Sequence, residues 1–232
     1  MLKRILSIMG FTGKSKVRNN AQLYSLNTKS YLNTDGSFNY SHYRKVQEEG
    51  NKRKLKNVWV LEENISFLSD YLINKLGIVK FGICHGTRQG LEQKWFRKYL
   101  NCEVIGTEIS ETATQFPDTI QWDFHETKKE WLDAVDFIYS NSFDHSYNPE
   151  SCLNNWMSCV KPGGLCILEH SDRHGISSST DLDPFGADLV VMPYLITLWG
   201  GGKYFVRAIL EAPARRNDTN HIHFLVIEKA SH

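Results

Sequence analysis

Ile78-Val79-Lys80-Phe81-Gly82-Ile83-Cys84-His85-Gly86-Thr87-Arg88-Gln89-Gly90 is followed, some fourteen residues on, by Val104-Ile105-Gly106-Thr107-Glu108. The first run reads as a short apolar strand and a turn of small residues; the second reads as another strand, ending on an acid. Between them a helix from about Gln89 to Leu100 carries a buried stripe of Leu91, Trp95, Phe96 and Tyr99. This order sets backbone N–H groups and a carboxylate at the carboxyl ends of two neighbouring parallel strands, where open α/β sheets bind ligands. Glu108 lies about twenty residues beyond the turn, the interval at which an acid meets a ribose diol in nucleotide-binding βαβ units.

Outward from this core the alternation continues. Upstream, Ile65, Phe67, Leu68, Tyr71, Leu72 and Leu76 recur at helical spacing from Glu62 to Leu76, and Gly77 supplies a C-cap. Downstream, strands are expected at Thr119–Phe124, Val135–Ser140 and Leu165–Leu168, with a short helix at Lys128–Leu132 and one from Pro149 to Met157. Lys161-Pro162-Gly163-Gly164 reads as a tight turn, and Asp183-Pro184 as the start of a helix through Trp199. Two last strands, Tyr204–Glu211 and His221–Glu228, are joined without a helix. The pattern is α/β: seven strands, five of them alternating with helices and therefore parallel, with a loop-linked final pair free to run antiparallel.

The flanks differ in character. Residues 1–57 hold 12 of the 27 Lys+Arg but three of the 26 Asp+Glu, so an arm of +9 precedes a body of −8. Residues 1–38 are polar and without sustained period, apart from one amphipathic turn at Leu2–Phe11; residues 39–50 read as a helix stopped by Gly50. Tyr40 and Tyr43 on that helix either pack or cover a ligand edge. The arm is compatible with an anionic substrate, a nucleic acid, a membrane surface or its own acidic body. No apolar run approaches the ~20 residues of a membrane span, and the amino-terminal apolar stretch is broken by Ser7, Gly10 and Thr12, unlike a secretory leader. Five cysteines, an odd number with no Cys-x-x-Cys pair, fit a reduced, cytoplasmic setting.

Four motifs in order make the chain resemble a class I S-adenosylmethionine-dependent methyltransferase from about Ile78 onward. Gly82-Ile83-Cys84-His85-Gly86-Thr87-Arg88 stands where that family has acid-x-Gly-x-Gly-x-Gly, with Gly82, Cys84 and Arg88 replacing the acid and two of the glycines. Glu108-Ile109 ends the second strand, Gln121-Trp122-Asp123-Phe124-His125 the third, and Asn141-Ser142-Phe143-Asp144-His145-Ser146-Tyr147-Asn148-Pro149 follows the fourth. The resemblance implies a Rossmann-like, seven-stranded, mostly parallel sheet with an antiparallel last strand, helices on both faces and an N-terminal extension. It divides the chain into a basic arm with a short helix (1–57) and a methyltransferase domain (58–232).

The resemblance also implies S-adenosylmethionine as cofactor, held by Gly82, Cys84, His85, Gly86, Thr87, Arg88, Glu108, Ile109, Asp123, Phe124 and Asn141. Glu108 would take the ribose hydroxyls, Asp123 the adenine amino group, and Trp122 or Phe124 the ring. The absent acid at position 82 leaves the methionine amino group in need of another partner, while Arg88 is a candidate for its carboxylate. A hydroxyl acceptor needs a base of near-neutral pKa, and His fits: His145 beside Asp144 is the first choice, His170 the second. His125 reads as a helix-start or surface residue. Asp181, Asp183, Tyr194 and Trp199 are candidates for the acceptor pocket. No metal is expected; the alternative is a divalent ion on Glu169, His170, Asp172 and His174 with Asp144.

The leading expectation is a methyltransferase acting on a small polar acceptor, a hydroxyl of a sugar or related metabolite. Competing readings are an RNA or protein methyltransferase docking through the basic arm, and a non-catalytic cofactor-binding accessory subunit. A nicotinamide-dependent reductase fits poorly, because the glycine spacing is wrong for a pyrophosphate.

Overall fold

A computed structural model describes residues 26–217 and 221–231, so the expected turn at Leu2–Phe11 lies outside the described residues. The helices are α1 (Tyr40–Arg53), α2 (Glu62–Leu76), α3 (Leu91–Leu100), α4 (Pro149–Cys159) and α5 (Met192–Gly200). The strands are β1 (Leu26–Thr28), β2 (Phe81–His85), β3 (Glu103–Glu108), β4 (Thr119–Gln121), β5 (Val135–Ser140), β6 (Val160–Ser171), β7 (Phe185–Ala187), β8 (Tyr204–Glu211) and β9 (Ile222–Lys229).

Seven strands form one sheet in the order β4-β3-β2-β5-β6-β9-β8. The pairs β2–β3, β2–β5, β3–β4 and β5–β6 are parallel, and β9 runs antiparallel to both β6 and β8. This is the expected Rossmann-like sheet. The chain winds outward through β3 and β4, then returns to the other side of β2 as β5. That reversal opens a crevice at the carboxyl ends of β2 and β5.

Alternation along the strands divides the core between the two faces. Ile83, Ile138, Leu168 and Ile227 pack with Trp156 and Met157 of α4 and Leu195 and Ile196 of α5. Cys84, Phe137, Ile167 and Val226 pack with Leu68 and Leu72 of α2 and Phe96 of α3. Local signals set the helix ends. The Asn39 side chain accepts from His42 N at the start of α1 (2.9 Å), Gly77 ends α2 with φ 71°, and Asn148 caps α4 ahead of Pro149.

Several expectations are corrected. The helix expected from Pro184 to Trp199 begins only at Met192. Phe185–Ala187 instead forms a strand antiparallel to Leu26–Thr28, and Lys29 N donates to Pro184 O (2.7 Å). Gly186 lies too close to the Gly175 carbonyl for any side chain, since a Cβ there would stand 2.6 Å from that oxygen. Gly50 does not stop α1, which runs to Arg53; its missing Cβ makes room for Leu182. The third strand ends at Gln121, Lys129–Trp131 is a single 3₁₀ turn, and β6 runs through the expected Lys161–Gly164 turn with a register shift against β5.

Candidate functional site

Two adjoining cavities open at the crevice. The larger, about 540 Å³, is lined by Gly86, Thr87, Arg88 and Glu92 from the turn after β2 and the start of α3, and by Asn141, Ser142, Asp144 and His145 after β5. Its rim adds Lys54, residues 56–60, Arg173, His174, Asp183 and Arg216. The smaller, about 50 Å³, is lined by Glu108, Ile109, Asp123 and Phe124, and roofed by Tyr43, Gln47, Gly50 and Asn51 of α1. Lys54, Gly86, Arg88, Ser142 and His145 border both.

The turn after β2 is wired to β3 rather than left open. Gly86 N and Thr87 N both donate to Thr107 O (2.8 and 3.1 Å), and Arg88 N donates to Glu108 Oε2 (3.2 Å). Those N–H groups are therefore engaged within the fold. Gly86 has φ 72° and its absent Cβ would meet the Ser142 Cβ at 2.7 Å. Arg88, at the position of the family's third glycine, adopts φ 42°, a left-handed conformation that glycine takes without strain. Its guanidinium donates to Asn57 O (2.9 Å).

On the smaller cavity, Glu108 is buried and also accepts from Ser110 N (3.0 Å); burial raises its carboxyl despite these hydrogen bonds. Asp123 accepts from His125 N and Nδ1 through one oxygen (2.9 and 2.8 Å) and from the Tyr40 hydroxyl through the other (2.8 Å). Burial works to raise the Asp123 carboxyl, but the His125 and Tyr40 contacts outweigh it and hold it below its ordinary range. His125 is not a surface residue: it is buried, hydrogen-bonded to Ser146 Oγ and stacked on Tyr147 with centroids 3.9 Å apart. Trp122 packs against Trp131 and Lys128, so of Trp122 and Phe124 it is Phe124 that lines the cavity, together with Tyr43 of α1.

On the larger cavity, Gln47 Nε2 donates to Leu182 O (2.8 Å), which turns its Oε1 toward His145 Nδ1 (2.8 Å). Nδ1 must then carry the proton, leaving Nε2 as the basic nitrogen, 3.4 Å from Asp183 Oδ1. Burial pushes the Asp144 carboxyl up to about 6, with His145 opposing and Asp183 adding. Asp144 Oδ1 is buried without a hydrogen-bond partner, as is Thr87 Oγ1. Glu92 is buried, accepts from Asn141 Nδ2 (3.0 Å), and is pushed up to about 7 by burial.

Other expected residues stand apart from both linings. Gly82 is covered by the Phe137 ring, and Cys84 is buried in the core. His85 is bonded to Thr107 Oγ1 (2.8 Å), stacked on Trp156, and pushed down to about 3 by burial. His170 is buried and bonded through Nε2 to Ala187 O (2.8 Å), with its pKa pushed down to about 4 by burial. Asp183 lines the larger cavity; Asp181, Tyr194 and Trp199 do not. The alternative metal set is dispersed: Glu169 serves Trp59 and Tyr139, and Asp172 accepts from His221 N. Among the described residues, Asp144, His145 and Asp183 instead bring ligand-type atoms within 4.8 Å of one another.

Sequence reasoning missed Glu92, Trp59, Arg173, Arg216 and the lysines at 54 and 56. Only the basic composition of the arm hinted at the lysines, and nothing local marked the others.

Comparison with known proteins agrees with the fold. Residues 83–168 match the methyltransferase domain family. No curated protein matches the sequence at a significant level. Among solved structures, the fold is similar to a Burkholderia thailandensis 1,6-didemethyltoxoflavin-N1-methyltransferase with bound 1,6-didemethyltoxoflavin and S-adenosylhomocysteine. The TM-score is 0.65 at 12% identity, over 88% of this chain and 94% of that one. It is also similar to a plantazolicin methyltransferase in complex with a triazolic desmethylPZN analog and S-adenosylhomocysteine (TM-score 0.62, 13% identity, 82% and 96% covered). A Haloferax volcanii putative methyltransferase in complex with the Trm112 activator gives a TM-score of 0.56 at 14% identity (84% and 100% covered). At these identities the likeness carries the fold. Among the described residues, no helix is long and apolar enough to cross a membrane.

Proposed function

We propose that this chain, whose residues 83–168 match the methyltransferase domain family and whose fold is that of S-adenosylhomocysteine-bound methyltransferases, methylates a hydroxyl of a small polar acceptor seated in the larger cavity. The observation that carries this reading is the junction of the two cavities, where His145 presents a basic Nε2 beside the turn after β2.

The residues present fit the cofactor. The missing Cβ of Gly86 lets Ser142 stand against the turn, so that Gly86, Ser142 and Asn141 line the cavity together, and Asn141 holds the buried Glu92 there. Glu108 would hold the ribose hydroxyls, with Asp123 and Phe124 at the adenine. Glu92 is the best replacement for the acid missing at position 82: it is a buried carboxylate on the same wall as Gly86 and Asn141. An ammonium group beside it would favour its ionised form, the opposite of what burial alone does. When bound, S-adenosylmethionine supplies a methyl group on a positively charged sulfur.

The protein's own contribution is alignment and proton removal. His145 Nε2 takes the hydroxyl proton, and Asp183 and Asp144 stabilise the imidazolium that results. Gln47 fixes the tautomer from α1, so the helix preceding the sheet takes part in the chemistry. Calorimetry with S-adenosylhomocysteine tests the reading directly: saturable binding is expected, and no heat at millimolar ligand would overturn it.

A further inference from the structure

The rim of the larger cavity carries five cationic side chains: Lys54, Lys56, Arg88, Arg173 and Arg216. They come from the end of α1 and the segment after it, the turn after β2, the turn after β6 and the β8–β9 loop. Some exposed cations elsewhere have carboxylate partners, as in Arg44–Glu48, Lys52–Glu111, Lys98–Glu62 and Arg207–Glu228, whereas scattered ones such as Lys75, Lys94 and Lys203 have none among the described residues; what distinguishes the rim is that five cations line one cavity. None of the five rim cations forms such a pair among the described residues. Arg88 and Arg216 donate instead to the carbonyls of Asn57 and Trp59 (2.9 and 2.7 Å).

Trp59 organises two of them. Its indole N–H donates to Glu169 Oε1 (2.8 Å), and the other Glu169 oxygen accepts from the Tyr139 hydroxyl (2.7 Å), so the ring is anchored to the strands beneath it. The guanidinium carbons of Arg173 and Arg216 stand 5.7 and 5.1 Å from the ring centroid, within cation–π reach. Burial lowers the Arg216 pKa; Glu169 opposes, and Arg173 and Arg88 add to the lowering as like charges. The cavity's carboxylates are engaged elsewhere: Asp183 and Asp144 stand beside His145 and His174, and Glu92 accepts from Asn141. Two of them, Glu92 and Asp144, are pushed up to about 7 and about 6. Cations gathered around one cavity without a carboxylate paired directly to any of them favour an anion at that place. Arginines suit it because their planar forks match a carboxylate or phosphate in bidentate fashion.

We propose that Arg173 and Arg216, flanking Trp59, form an oxyanion-binding subsite, so that the methyl acceptor carries a carboxylate or phosphate group. This rests on the transferase reading above and narrows it from a polar acceptor to an anionic one. Arg88, on the turn that carries Gly86, is left to the methionine carboxylate.

The test uses the full chain saturated with S-adenosylhomocysteine. Tryptophan fluorescence is followed while inorganic phosphate, pyrophosphate and malonate are titrated at constant ionic strength, with Trp59→Phe assigning the signal. At least one anion should saturate with Kd of about 1 mM or tighter, phosphate and malonate distinguishing the two oxyanion chemistries. Arg173→Gln and Arg216→Gln should each weaken it by about tenfold or more. S-adenosylhomocysteine affinity should stay unchanged, as should the response of an Arg44→Gln control. Both arginines are exposed, so their replacement should leave the fold intact. Three results would overturn the subsite: no saturable response, indifference to both arginine substitutions, or competition between the anions and S-adenosylhomocysteine. The last would give these cations to the cofactor's own carboxylate. If S-adenosylhomocysteine does not bind, the transferase reading fails, and the same titration on the free protein still decides whether the oxyanion subsite exists.

Discussion

At the scale of single residues, His145 and Glu92 carry the sharpest expectations. His145 is oriented through Nδ1 by Gln47, so the nitrogen left to take a proton is Nε2, 3.4 Å from Asp183 Oδ1. His145→Ala should lower turnover about 10²-fold while calorimetry shows S-adenosylhomocysteine affinity retained; unchanged turnover would move proton removal elsewhere. If Asp144, His145 and Asp183 act as proton-handling groups and not as cation ligands, turnover should be the same with and without EDTA. Glu92 links affinity to stability. Its folded-state pKa is raised from 4.5 to about 7, so the fold favours the protonated acid. The stability it contributes is complete below about 4.5 and is lost as pH rises through about 7, up to roughly 3 kcal/mol. Glu92→Gln should therefore raise the melting temperature of the ligand-free protein more at pH 8 than at pH 5, while weakening S-adenosylhomocysteine binding. Glu92 was not legible in the sequence, because its role depends on Asn141 meeting it from another strand end.

At the scale of elements, the turn after β2 shows why a recognisable motif can depart from its pattern. An acid has no room at position 82: a Cβ there would lie 2.2 Å from the Phe137 ring, which packs on Phe96 in the core. Gly82→Ala should cost about 1–3 kcal/mol by overpacking, and adding Phe137→Leu should return part of it in a denaturant melt; additive losses would show that the two sites do not couple. The strands of the main sheet were legible because period-2 apolar runs and turn residues agree with one another. The stretch after β6 was not. Pro184 resembles a helix start, but the segment's partner is Leu26–Thr28, some 160 residues earlier, and no local signal announces a pairing at that distance. The real helix begins at Met192, with Pro193 in its first turn.

At the scale of the whole molecule, burial of ionisable groups sets opposing limits on pH. Glu92 and Asp144 are raised to about 7 and about 6, whereas His85, His170 and His174 are lowered to about 3, 4 and 4, all by burial first. The histidines contribute stability that is complete above 6.5 and lost as pH falls toward 4; the carboxylates lose theirs as pH rises toward 7. Between about pH 4.5 and 6.5 the three histidines, which gain stability with rising pH, outweigh the two carboxylates, which lose it, so denaturant midpoints should climb to about pH 6.5 and fall slightly beyond it. A midpoint still rising from pH 7 to 8 would contradict the buried, uncharged carboxylates. The fold and the order of the four motifs were legible at this scale. The cationic rim was not, since residues 54, 173 and 216 meet only through the sheet's winding. One consequence concerns time rather than affinity. The pocket beneath α1 measures about 50 Å³, far less than a nucleoside needs, and the Tyr40 hydroxyl ties that helix to Asp123. In the proposed enzyme, each spent nucleoside leaves only when this latch lets go. Turnover would then be paced by the opening of α1, and Tyr40→Phe should speed product dissociation in stopped-flow measurements.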